Sequence, residues 1–138
     1  MSDANKAVVK HAFDAINKGE VAGLVKALDP KLQKSFEAAF HAVKSGFKDM
    51  KLHIDDMIAE GDKVVTRWTM RGAHSGEAVF GHMGPVRPTN KSLTVSGITI
   101  HQIQHGKVIN SWGTTDELGG LRQLGLVEQY AKAVSVNR

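Results

Sequence analysis

Residues 106–125 read GKVINSWGTTDELGGLRQLG. An alternating run containing Trp112 leads straight into a short amphipathic segment, with Asp116 at the junction. A carboxylate at such a place has two uses. As a helix N-cap it accepts free backbone N–H groups, is worth about 0.5–2 kcal/mol over alanine, and has its pKa lowered by those bonds. Against an apolar wall it is desolvated, its pKa rises, and it becomes a proton shuttle. Thr115 offers an alternative cap that frees Asp116, and the expectation adopted here is Thr115 as cap and Asp116 as acid/base.

Other chemistries are narrowed by residue type. The chain has no cysteine, which removes disulfides, thiolate nucleophiles and thiolate metal sites. Its seven histidines give no H-x-H on a strand and no H-x-x-x-H on a helix that would bring two to one ion, so no metal is expected. The net charge of +4 comes from lysines scattered among acids such as Asp14, Glu37, Asp49, Asp55 and Asp56. Nucleic-acid binding would want them clustered, and is not expected. No apolar run is long enough to span a membrane, and MSDANKAVVKHAF lacks the apolar core of a signal peptide, so the expected location is cytoplasmic.

At 138 residues the chain reads as a single domain over 1–138, long enough to bury a core. Val8, Val9, Ala12, Phe13 and Ile16 form one face of a helix over Asp3–Lys18, closed by Gly19. A short helix carrying Val21, Leu24, Val25 and Leu28 follows and stops at Pro30. A third covers about Lys31 to Lys44. Strand-like alternation then runs through Asp49–Ile58, Lys63–Gly72, a weaker stretch near Glu77–His82, Leu93–Gln104 and Lys107–Thr114. Gly84–Asn90 reads as a loop. Glu117–Leu124 is a short helix ended by Gly125, and residues 126–138 either extend it or fray. Helices followed by an antiparallel meander make an α+β fold: a cone-shaped curved sheet with the N-terminal helices over its concave face, enclosing a pocket.

The last hairpin predicts which residues reach that pocket. With Gln104-His105-Gly106 as a three-residue turn, Ile103 lies opposite Lys107. One face then carries Gln102, Ile100, Ile98, Asn110, Trp112 and Asp116; the other carries His101, Thr99, Ser111 and Gly97. The first has the large apolar groups and is expected to face inward. In Lys63–Gly72 the apolar set Val64, Thr66, Trp68 and Met70 is also expected inward, with Arg67 and Arg71 outward. Trp68, Met70, Ile98, Ile100 and Trp112 would be walls, and Gln102 and Asn110 polar orienters of a small-molecule site. His82, beside the loop, would lean over the mouth.

The runs IAEGDKVVTRWTMRGAHSGE and LTVSGITIHQIQHGKVINSWGTTDELGGLRQLG, with AVVKHAFDAINKGEVAGLVKALDP at the start, resemble the SnoaL-like polyketide cyclase family of the nuclear-transport-factor-2-like superfamily. The resemblance implies a cofactor-independent enzyme that closes a ring by aldol condensation on an apolar or aromatic carbonyl compound. It also implies that the aspartate of a W-x-x-x-D pattern, here Trp112 to Asp116, is the acid/base, with Gln102 as a pocket polar group. The chain differs from many relatives in a short Asp29–Gly46 stretch and in Thr115, where an aromatic is common. Such cones commonly dimerise through the outer sheet face, here expected to carry Arg67, Thr69, Thr99 and Ser111. A non-catalytic binding or dimeric assembly module is the alternative. An isomerase would need an Asp base and an inward tyrosine or protonated aspartate as oxyanion donor, and the only tyrosine, Tyr130, is in the C-terminal tail. An epoxide hydrolase would need an inward arginine.

Overall fold

The computed structural model describes residues 2–80 and 83–136, so His82 lies outside the described residues. In chain order the elements are α1 (Ser2–Lys18), α2 (Val21–Lys26), α3 (Pro30–Gly46), β1 (Lys51–Glu60), β2 (Lys63–Ala73), β3 (Ala78–Val79), β4 (Pro85–Val86), β5 (Ser92–Gln104), β6 (Lys107–Thr115), α4 (Glu117–Leu124) and α5 (Val127–Val136). This is the expected α+β architecture: an antiparallel sheet ordered β1-β2-β5-β6 with the helices packed on one face. The weak run near Glu77–His82 contributes only β3, which pairs with β4 from within the expected loop. The described C-terminal residues form a separate helix and do not extend α4. Gly125, at φ 74°, ends that helix and α5 starts afresh.

Local chemistry sets the boundaries. The Asp29 carboxylate accepts the Lys31 N–H at 3.0 Å, and Pro30 opens α3 where a missing N–H costs nothing. The linker between α2 and α3 docks on the open edge of β6. Val108 N–H donates to Ala27 O (2.8 Å) and Asp29 N–H donates to Val108 O (2.9 Å). At the opposite edge Asn17 of α1 exchanges two hydrogen bonds with the Leu52 backbone. Both edges thereby lose part of their unpaired backbone.

The β5–β6 register departs from expectation in an instructive way. Gln104 pairs with Lys107, so the turn has two residues, His105 and Gly106, both at positive φ (54° and 75°), the pattern of a type I′ hairpin. A bulge at Ile109 then inserts one extra residue, and beyond it Gln102 opposes Asn110 and Ile100 opposes Trp112. The even-numbered residues therefore do share a face, as expected. That face is the outer one. β2 pairs with β5 as Val64 with His101, Trp68 with Gly97 and Met70 with Val95, so the even residues of β2 and the odd residues of β5 look the same way. Inward even sets on both strands are incompatible. Val64 and Thr66 are buried, as are Val95, His101 and Ile103, which assigns the helix-covered face to the odd set of β5.

Two clusters fill the space under the helices. Val9, Phe13, Leu24, Leu28 and Phe40 pack on Val64, Ile103 and Val108, while Phe47, Met50, Leu93 and Val95 pack on Leu121, Leu124 and Leu126.

Candidate functional site

Each cluster leaves a hollow beside it. The outer hollow has a volume of about 590 Å³, lined by Trp68 and Met70 of β2, Leu93 and Val95 of β5, Phe47 at the end of α3, Phe80, Leu121 and Leu124 of α4, and Tyr130 of α5. Asp116, Glu117, Thr115 and Glu77 supply its polar rim. The inner hollow, about 330 Å³, lies beneath α1–α3 against Phe13, Phe36 and Phe40, with Thr99, His101 and Ser111 on its floor. Both lie within the range of small-ligand sites.

Asp116 sits at the end of β6, where its N–H donates to Ser96 O (3.0 Å). Its Oδ1 accepts the Gly119 N–H at 2.9 Å. Asp116, not Thr115, is therefore the N-cap of α4, because the chain leaves the sheet one residue later than the cap assignment on Thr115 requires. A Cβ on residue 119 would run into the carboxylate, so glycine there makes the cap geometry achievable. Among the described residues no hydrogen-bond donor engages Oδ2, and the carboxylate is solvent-exposed at the cavity rim.

The expected wall divides. Trp68 and Met70 line both hollows. Ile98, Ile100, Gln102, Asn110 and Trp112 lie on the opposite side of the sheet, because the β2–β5 pairing turns the even set of β5 away from the helices. Ile98 and Trp112 are 44% and 47% exposed. The Gln102 amide donates to Asp62 Oδ2 at 2.7 Å, bracing the β1–β2 turn, and that bond holds the Asp62 carboxyl below its usual range. Asn110 Oδ1 accepts the Ser111 N–H. Of the outer-face residues expected, Arg67 and Thr69 are outward and meet at Asp55 (3.8 and 2.5 Å). Thr99 and Ser111 share the face of His101, as expected, but that face is inward because Thr66 and Val64, their buried neighbours on β2, pair with Thr99 and His101.

Three residues escaped the sequence reading, two of which line the hollows. His101, expected outward, is buried beside Phe13 with its Nδ1 unpartnered, and burial pushes its imidazole down to about 4, so it is neutral near pH 7. Parity through the β2–β5 pairing was the signal that would have found it. Tyr130, set aside as tail, lines the same cavity as Asp116; only the existence of α5 reveals that. His74 is fully buried, stacked on Phe47 with ring centres 5.3 Å apart. Its Nδ1 accepts the Thr89 N–H at 3.1 Å, which ties residue 74 to residue 89 next to the Glu77–Phe80 stretch that lines the outer hollow. Among the described residues no three His, Asp or Glu side chains converge as metal ligands.

Helices over one face of a four-stranded antiparallel sheet agree with a family model. The model for SnoaL-like polyketide cyclase matches residues 6–124. The chain belongs to this family. Solved structures of the same fold include TsrD from Streptomyces laurentii, at 27% identity and TM-score 0.83, covering 92% of this chain and 98% of TsrD. AclR from Streptomyces galilaeus, a suspected hydroxylase, matches at 21% and 0.81 over 92% and 99% of the two chains. IdmH from Streptomyces antibioticus, a suspected polyketide cyclase, matches at 20% and 0.76 over 88% and 98%. No curated protein matches.

Proposed function

We propose that this SnoaL-like protein is a cofactor-independent acid/base enzyme that closes a ring in an apolar carbonyl compound, with Asp116 moving the proton. The observation that carries the reading is the Asp116 carboxylate at the rim of the large apolar cavity, in the W-x-x-x-D pattern that the family resemblance makes the acid/base. In the reaction, Asp116 takes the proton from the carbon α to an ester carbonyl. The resulting enolate carbon bonds to a ketone carbon of the same molecule. That oxygen, now an alkoxide, recovers the proton from the carboxylic acid. A cap is compatible with this chemistry, because Oδ1 holds the helix while Oδ2 remains for substrate. The phenol of Tyr130 is suited to donate a hydrogen bond to the enolate oxygen.

His101 serves a different part of the ligand. Ser111, its cross-strand partner, is five positions from Asp116 along β6, or roughly 16 Å at the usual strand rise. A neutral imidazole there can hold a distant oxygen of the ligand, but it cannot share the reacting atom with Asp116.

A planar aromatic β-keto ester in deuterated buffer tests the central step. The protein should accelerate α-proton exchange well beyond buffer, and Asp116→Asn, which preserves a good cap, should abolish that acceleration. Exchange undiminished in this variant would refute the assignment.

The outer sheet face favours a second feature, homodimerisation. Ile58, Val65, Ile100 and Trp112 register opposite one another across all four strands. They make an apolar row between polar rows, and Ile58 is 62% exposed. Such a stripe is a surface that a second copy can cover.

A further inference from the structure

We propose that Trp68 is the specificity-determining residue of this site, setting how far a ligand reaches from the Asp116 mouth toward His101. The inference deepens the reading that the two hollows hold one ligand, and it does not depend on Asp116 being the base. Trp68 and Met70 of β2, with Val43 of α3, are the residues common to both hollows. They form the sill between them.

Trp68 is held in place by two contacts with β5. Opposite it on β5 stands Gly97, where a Cβ would overlap the indole ring and come within 2.8 Å of Thr114 O. The missing side chain lets the ring lie down on the β5 backbone. The indole N–H donates to Thr99 Oγ1 at 3.0 Å. Gly113, across the strand pair from Thr99, leaves room for that hydroxyl, since a Cβ there would stand 3.1 Å from Oγ1. A methionine at this place would bend to fit any ligand. A tethered indole keeps one orientation and offers a flat face to whatever crosses between it and Val43.

The two ends define the ligand class. The inner hollow is lined by apolar groups with the neutral His101, Ser111 and Thr99, and no Lys, Arg, Asp or Glu lines it among the described residues. The charged side chains at the outer hollow are Glu77, Asp116 and Glu117, all acidic. The fitting ligand is flat, elongated and without a carboxylate. Its far end is uncharged, because no charged side chain lines that hollow among the described residues to offset its desolvation.

Binding of naphthol and of hydroxytetracenequinone to the wild-type protein and its variants tests this. The long compound should move the His101 ring resonances of the wild-type protein, and naphthol should leave them still. Thr99→Val should shift the Trp68 indole N–H resonance and weaken the long compound about tenfold, with naphthol changed less than about twofold. Thr99→Ser, which retains the hydroxyl, should restore the wild-type profile. Asp116→Asn should bind both compounds as the wild type does, whatever its activity. The proposal is overturned if the wild-type protein does not bind the long compound, if both compounds or neither move His101, or if Thr99→Val weakens the two equally. Should Thr99→Val fail to fold, the His101 resonances of the wild-type protein still decide the matter.

Discussion

In the function proposed, Asp116 serves structure and chemistry together. Its Oδ1 satisfies an N–H of α4 that would otherwise lack a partner, while the carboxylate stays at the rim of the cavity. Tyr130 is the group best suited to share the charge of the enolate, and Tyr130→Phe should slow α-proton exchange about 100-fold while leaving binding of the keto ester intact. The buried histidines make a separate prediction at this scale. His101 is held to about 4 in the folded protein against 6.5 for an ordinary imidazole. Between those values the unfolded chain takes up a proton that the folded protein refuses. Stability is therefore full above pH 6.5 and falls as pH drops toward 4, by about 3 kcal/mol. His74, also lowered by burial, adds to the same trend. Urea unfolding at pH 7 and pH 4.5 should show the loss, and His101→Phe should flatten it.

At the scale of elements, the β5–β6 hairpin positions the site, and Gly97 is its most constrained point. Gly97→Ala would force its methyl into the Trp68 ring and the Thr114 carbonyl, so it should destabilise the fold by about 1–3 kcal/mol in urea unfolding. The helices and strands were legible in the sequence because their signals are local: the Val9–Phe13–Ile16 stripe, Gly19, Pro30, and the alternation through β2. Which residues of β5 and β6 share a face was legible too. Which face they turn to the helices was not, for that depends on pairing with β2, a contact between strands far apart in sequence. The composition also pointed the wrong way. The outer face carries Ile98, Ile100 and Trp112, whereas the inner face needs Gly97 and Gly113 to seat Trp68 and Thr99, and so looks polar and small. The sequence singled out Asp116 and offered it both uses, but the register that put it inward beside Trp112 failed, and whether Thr115 or Asp116 caps α4 rests on one N–H direction that no periodicity encodes.

For the whole molecule, the sheet separates two tasks. Its inner face, with the helices, encloses the hollows; its outer face presents the Ile58–Val65–Ile100–Trp112 row, flanked by the Arg67–Asp55–Thr69 group. Trp112→Glu should turn a dimer into a monomer in sedimentation while leaving the hollows intact, since the indole lies on the far side of the sheet from them. A wild-type monomer at high concentration would remove the interface. Among the described residues no helix is long and apolar enough to cross a membrane.

The central claim is that the same carboxylate caps α4 and moves the proton, and paired variants at residue 116 separate the two. Asp116→Asn and Asp116→Ala are compared for α-proton exchange of an aromatic β-keto ester and for stability in urea. The account predicts that both lose exchange by about 100-fold or more, and that only the alanine variant loses stability, by about 1 kcal/mol. Full exchange by the asparagine variant would contradict it.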